Sequence, residues 1–202
     1  MYQLNEDETT EDGAAEAKDA PKSLMEKMMG TRTILIYGEI NQKVAREVTE
    51  RLMLLSAESD DDIKLFINSQ GGHVESGYTI FDMIRFVKPR VKIIGTGWAA
   101  SAGALIYASV PKEDRFSLPH TRYMLHQPMG GVRGQASDIA IEAEEIMKMR
   151  ENLNLLFADQ TGQPIEQVRE DTDRNFWMSA TEALDYGLVG KIVNSSTELD
   201  EL

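Results

Sequence analysis

Strand-like and helix-like patterns of apolar residues alternate along the chain. Thr33 to Ile40 (TILIYGEI) and Ile63 to Asn68 (IKLFIN) are short runs rich in isoleucine and aromatic residues, which predicts strands. Between them Val44, Val48, Leu52 and Leu55 recur at helical spacing behind Asn41, a residue suited to cap the helix start. The second strand is expected to end in a turn, Ser69-Gln70-Gly71-Gly72, before a helix through Tyr78, Phe81, Ile84 and Phe86 that Pro89 closes. Val91, Ile93 and Ile94 then form a strand that gives way at Gly95 and Gly97 to a block of small residues around Ser101.

Beyond it, Phe116 to Leu118 and Tyr123 to His126 look like a strand pair broken by Pro119. Gly130, Gly131 and Gly134 make a flexible ribbon before the longest helix, whose stripe is Ile139, Ala143, Ile146, Met149, Leu153 and Leu156. Gly162 ends that helix, Pro164 opens another, Ser179 to Glu182 is a capping box, and Lys191 to Val193 is a last strand. Leu24 to Met29 reads as a short helix at the start. Repeated strand-then-helix order predicts an α/β fold of βαβ units. We divide the chain into an acidic, disordered extension (1–22), a folded domain (23–193) and a polar acidic tail (194–202).

Composition narrows the function. The chain has 202 residues, no cysteine and a net charge of −13. One substantial domain is expected, without disulfides, thiolate catalysis or cysteine metal sites. The acidity argues against nucleic acid as a partner, because phosphate contacts need clustered Lys and Arg. No apolar run has the length of a bilayer span and no secretory signal opens the chain, so a cytoplasmic protein is expected.

Ser101 follows a strand and precedes a helix, flanked by Ala99, Ala100, Ala102 and Gly103. Ala99-x-Ser101-x-Gly103 is a relaxed nucleophile elbow, and the free N–H groups of a helix start favour developing negative charge. Gly71, Gly72 and the Ala102 N–H are candidates for an oxyanion site, and His126 at a strand end is a candidate base. A helix cap at Ser101 and a half-buried structural histidine at 126 are the alternatives. His73 and His120 read as loop residues without a chemical role. The sequence has no metal-ligand spacing and no phosphate loop.

Together these residues resemble the Clp protease proteolytic subunit (ClpP) family. The matching pieces are Ile67 to Gly72, Gly97 to Ala104, Met124 to Pro128 with Gly130-Gly131, and Ser179 to Val189, in the family's order and spacing. The resemblance implies a crotonase-like fold of repeated β/β/α units with a protruding handle helix, in two stacked heptameric rings around a chamber. It implies Ser101 as nucleophile, His126 as general base, and the Gly72 and Ala102 N–H groups as oxyanion hole. Gly71, Gly130 and Gly131 would line the substrate strand, and Asp173 with Arg174 would sense ring contact. ATP would be used by a separate AAA+ unfoldase that feeds unfolded polypeptide; the chain itself would need no cofactor or metal.

The sequence departs from the family at several places. Asn175 stands where the family's triad has aspartate, Gln70 replaces the usual proline, and Lys64 replaces an aromatic of the unfoldase-docking cleft. Residues 1–30 match the family's N-terminal segment poorly. The expected function is therefore a self-compartmentalising serine endopeptidase with a Ser101-His126-Asn175 triad. A weakly active or inactive ring subunit paired with an active paralogue is the alternative. A crotonase-type acyl-CoA enzyme would leave the serine and histidine unexplained, and a Ser-Lys peptidase would lack its membrane anchor.

Overall fold

A computed structural model describes residues 24–200; the extension assigned to residues 1–22 lies outside them. After α1 (Leu24–Gly30) come β1 (Thr33–Ile40), α2 (Gln42–Glu58), β2 (Ile63–Gly72), α3 (Val74–Phe86), β3 (Val91–Ala100) and α4 (Ala102–Tyr107). The three strands pair in parallel in the order β1-β2-β3. Ala45, Val48, Leu52 and Leu55 of α2 and Ile80, Phe81 and Ile84 of α3 are buried together with Ile63, Leu65 and Ile67. Asn41 caps α2 by accepting the Val44 N–H at 3.0 Å.

The turn expected at Ser69 to Gly72 is absent, and β3 outlasts the glycines at which it was expected to give way. β2 runs through Ser69 to Gly72, and β3 runs past Gly95 and Gly97 to Ala100. Instead of turning, the ladders slip register, between Tyr37 and Glu39 against β1 and between Ile67 and Ser69 against β3. A bulge bends a strand without ending it. Ser69 pins this one: its buried hydroxyl donates to Gly38 O at 2.6 Å and accepts the Gly71 N–H at 3.0 Å.

Strands β4 (Arg115–Ser117) and β5 (Arg122–Leu125) do not pair with each other. Both lie parallel to β3 on successive stretches, β4 beside Ile93–Gly95 and β5 beside Trp98–Ala100. The bulge divides the edge of β3, and each short strand takes one part. A further strand, β6 (Phe176–Ser179), pairs antiparallel with β5, and β7 (Lys191–Ile192) extends the sheet beyond β4. The helices of this half are α5 (Ala136–Thr161), α6 (Ile165–Asp171), α7 (Ala180–Tyr186) and α8 (Thr197–Asp200). In the tail α8 buries Leu199 against Ile94, Phe116 and Val193.

Only the C-terminal half of α5 is packed: Leu153 and Phe157 are buried, whereas Ile139 and Ala143 on the predicted stripe are exposed. The helix thus protrudes from the body. Its far end is fastened by Arg115, whose buried guanidinium donates to Val110 O at 2.7 Å, Gln160 O at 2.8 Å and Gln160 Oε1 at 2.5 Å. Gly130 and Gly131 belong to no strand. An extended ribbon needs a ladder partner, and the described residues of the single chain give it none.

Candidate active site

Three elements converge on Ser101. The residue joins β3 to α4 with φ 56° and ψ −122°, a conformation costly for any side chain and found at strand-to-helix nucleophile turns. It occupies the N-cap position of α4, yet its side chain makes no capping bond. Its hydroxyl instead donates to His126 Nε2 at 2.7 Å. The hydroxyl is thus bonded to an imidazole and is not used as a helix cap.

Sheet register explains how distant residues meet. Ala100 pairs with Met124 in parallel, and the Ser101 N–H donates to Met124 O at 2.9 Å, so the residue after β3 lies beside the end of β5. Leu125 pairs with Phe176 in the antiparallel β5–β6 ladder. One step further, Asn175 therefore lies opposite His126. The His126 Nδ1–H donates to Asn175 Oδ1 at 3.2 Å, which leaves Nε2 unprotonated toward the serine. Burial holds the His126 imidazole below its ordinary pKa, and the Asn175 bond opposes that in part. Neither nearby aspartate takes this place: Asp173 bonds Arg150 at 3.0 Å, and Asp171 accepts from the Tyr186 hydroxyl at 2.9 Å.

The glycines press against the serine from β2. A methyl group on Gly71, at φ +97°, would stand 2.6 Å from Ser101 Cβ and 2.7 Å from Ala100 O. Ile40 pairs with Gly72 and its carbonyl accepts the His73 N–H at 2.8 Å. In a parallel ladder the residue directly opposite points its own N–H the other way, so the Gly72 N–H faces the β3 side where Ser101 lies. Ala102, first residue of α4, has an N–H with no partner within the helix. The two N–H groups thus flank the serine.

Replacing Gly71 by alanine is expected to displace Ser101 and cut peptide hydrolysis at least about 100-fold, since misplacement by about 1 Å costs that much. A lowered melting temperature should accompany it, because the left-handed backbone is strained by any side chain. Melting and hydrolysis curves matching those of the unsubstituted chain would overturn this close-packing account.

A cleft of about 270 Å³ opens over these atoms, lined by Glu39, Gln70, Gly71, Gly72, Met129 and Asn175. Beside it lies a narrow apolar recess formed by Val74, Leu105, Leu125, Leu153 and Phe157, with Ser101 and His126 at its mouth. Sequence reasoning missed Glu39 and the recess: Glu39 sits inconspicuously in a strand, and the apolar residues look like ordinary core. Pro128 and Met129 line the cleft, whereas Gly130 and Gly131 do not.

Asp173 and Arg174 lie just before Asn175. Arg174 donates to Asp173 O at 2.9 Å, and Gln127 Nε2, next to the histidine, donates to the same carbonyl at 2.6 Å. His73, read as a loop residue, caps α3: its Nδ1 accepts the Ser76 N–H at 3.3 Å. Among the described residues no helix is long and apolar enough to cross a membrane. No three His, Asp or Glu side chains among them are grouped to hold a metal.

Comparison with known proteins gives one consistent result. A family profile described as Clp protease matches residues 16–196. The "ATP-dependent Clp protease proteolytic subunit 3" of Rhizobium meliloti is 59% identical over 84% of this chain and 87% of its own length. The "proteolytic subunit 2" of Gluconobacter oxydans is 57% identical over 96% of this chain and 88% of its own. Among solved structures, ClpP1 from Listeria monocytogenes superimposes with a TM-score of 0.80 and 56% identity, covering 88% of this chain and 99% of that one. An asparagine-to-aspartate mutant of the same protein matches with a TM-score of 0.82 at the same identity and coverage.

Proposed function

The chain belongs to the Clp protease family, and from that membership we propose that it hydrolyses peptide bonds as a serine endopeptidase with a Ser101-His126-Asn175 triad. The observation that carries the proposal is the hydrogen-bonded chain itself, 2.7 Å from serine to imidazole and 3.2 Å from imidazole to amide, built on a strained serine.

The chemistry follows from these atoms. Ser101 Oγ attacks the scissile carbonyl carbon while His126 Nε2 takes its proton. Negative charge on the carbonyl oxygen is received by the Gly72 and Ala102 N–H groups. The tetrahedral intermediate collapses, His126 returns the proton to the departing amine, and an ester to Ser101 remains. Water, deprotonated by the same histidine, attacks the ester, and, as the acid leaves, His126 passes that proton to Ser101 Oγ, restoring the hydroxyl. Throughout, Asn175 Oδ1 holds the Nδ1–H and with it the correct tautomer, as the aspartate does in the Ser-His-Asp template. The apolar recess beside the scissile carbonyl is too narrow in this structure to take more than a water-sized group, so a substrate side chain would have to widen it.

The substrate we propose is unfolded polypeptide, threaded by a separate AAA+ unfoldase that uses the ATP, with short peptides cleaved unaided. The working form is two stacked heptameric rings, for which the exposed half of α5 supplies a contact surface. Asn175 also favours a second reading, a ring subunit of low activity beside an active paralogue, because an amide cannot offset the imidazolium charge.

Both readings need a ring, and one experiment separates them. The assembled chain, isolated by gel filtration, is incubated with a fluorogenic peptide and with an unfolded protein. Steady cleavage of the peptide supports the endopeptidase. A ring-sized species inert to both substrates would leave the structural reading. A peak at subunit mass would count against both.

A further inference from the structure

The wall of the cleft opposite His126 carries a charge that the peptidase chemistry does not use. Glu39 lies at the bulged end of β1, the edge strand of the sheet, in register with Gly71. It is exposed and lines the same cleft as Ser101, Gly71 and Gly72. Among the described residues no side chain or backbone group bonds its carboxylate, whereas on the neighbouring α2 Glu50 is paired with Arg46 at 2.7 Å and Glu47 with Lys43 at 4.0 Å. The remaining lining side chains, Gln70, Val74, Met124, Met129 and Asn175 among them, are uncharged. His126 is held toward its neutral form by burial. Among the side chains that line the cleft, Glu39 is thus the one acid, without a bonding partner among the described residues.

We propose that Glu39 is a specificity-determining residue: it forms an acidic subsite that selects substrates with a lysine or arginine close to the scissile bond and disfavours an acidic residue there. The inference deepens the endopeptidase reading and rests on it. A substrate chain that reaches Ser101 along Gly71 and Gly72 carries one of its side chains past the carboxylate. A cation at that point gains an ion pair with a group that has no competing partner among the described residues, and an anion meets repulsion. An exposed pair changes affinity only a few-fold, but attraction and repulsion act in opposite directions on the two substrates. The discrimination between lysine and glutamate is thus expected to be about tenfold in kcat/KM. It weakens as salt is raised, because the charge is solvent-accessible.

The test uses the full-length assembled protein and quenched fluorescent peptides that carry lysine, glutamine or glutamate in turn at each position within three of the scissile bond. The wild-type chain should prefer lysine over glutamate about tenfold at one position. Glu39→Gln should bring that ratio close to one, and Glu39→Lys should invert it. Fluorophosphonate labelling of the wild-type protein is measured alongside, as a readout of Ser101 that does not involve a peptide. If Ser101 is labelled but the wild type shows no charge preference, or Glu39→Gln retains it, the acidic subsite is overturned while the peptidase reading stands. If Ser101 is not labelled and no peptide is cut, both fall together.

Discussion

A Ser101→Ala variant is expected to take up no fluorophosphonate and to lose more than about 1,000-fold in peptide hydrolysis, while intact-mass spectrometry shows one adduct per chain on the wild type. The size follows from the role. With the nucleophile gone, only positioning and the two N–H donors remain, and these support a small residual rate at best. The variant should be folded, since Ser101 Oγ makes no capping bond and its hydrogen bond to His126 is a contact of the site, not of the core. Alanine inherits the same positive φ without adding bulk. Circular dichroism and melting close to those of the wild type, together with lost labelling, would establish that the hydroxyl acts chemically. An adduct that persists in the variant would locate the reactive group elsewhere and remove the basis for the mechanism.

What made this site legible was local chemistry. Asn41 and the Ser179–Glu182 capping box announce helix starts through side chains that bond their own backbone, and both do so in the structure. The run Ile63 to Asn68 marks β2, and its Ile63, Leu65 and Ile67 are buried. Boundaries that depend on partners were not legible. Gly71 and Gly72 look like a turn, but a bulge held by Ser69 lets the strand continue. Phe176 to Met178 is too short and too uniformly apolar to reveal β6, which exists because β5 offers it an edge. The meeting of Ser101, His126 and Asn175 is likewise a matter of register, and only the family resemblance brought them together before the ladders were visible. Glu39 had no signal at all, since its importance comes from a neighbour, Gly71, far along the chain.

Asn175→Asp tests the part of the site that departs most from a serine-protease triad. Asn175 Oδ1 accepts the His126 Nδ1–H at 3.2 Å, which supplies the orienting half of an aspartate's work. It does not supply the electrostatic half. As Ser101 loses its proton, His126 becomes an imidazolium, and a carboxylate beside it would stabilise that charge. The position is exposed, so solvent screens the gain, and an increase of about tenfold in kcat/KM at alkaline pH is expected. The pH profile gives the sign independently. In the wild type, burial lowers the imidazole pKa below its ordinary value of 6.5. The base then stays neutral to a lower pH, and the acid limb of kcat/KM is expected below the ordinary imidazole range. A carboxylate favours the protonated ring, so the limb of the variant moves to higher pH. The two profiles should therefore converge as pH falls, with the aspartate enzyme ahead only where its histidine is deprotonated. A variant with an unchanged limb and no gain in rate would mean that residue 175 does not govern the imidazole. A wild type that is silent toward the fluorophosphonate, with labelling restored by Asn175→Asp, would instead mean that the amide holds the site off. That outcome would transfer the catalytic role to a partner subunit.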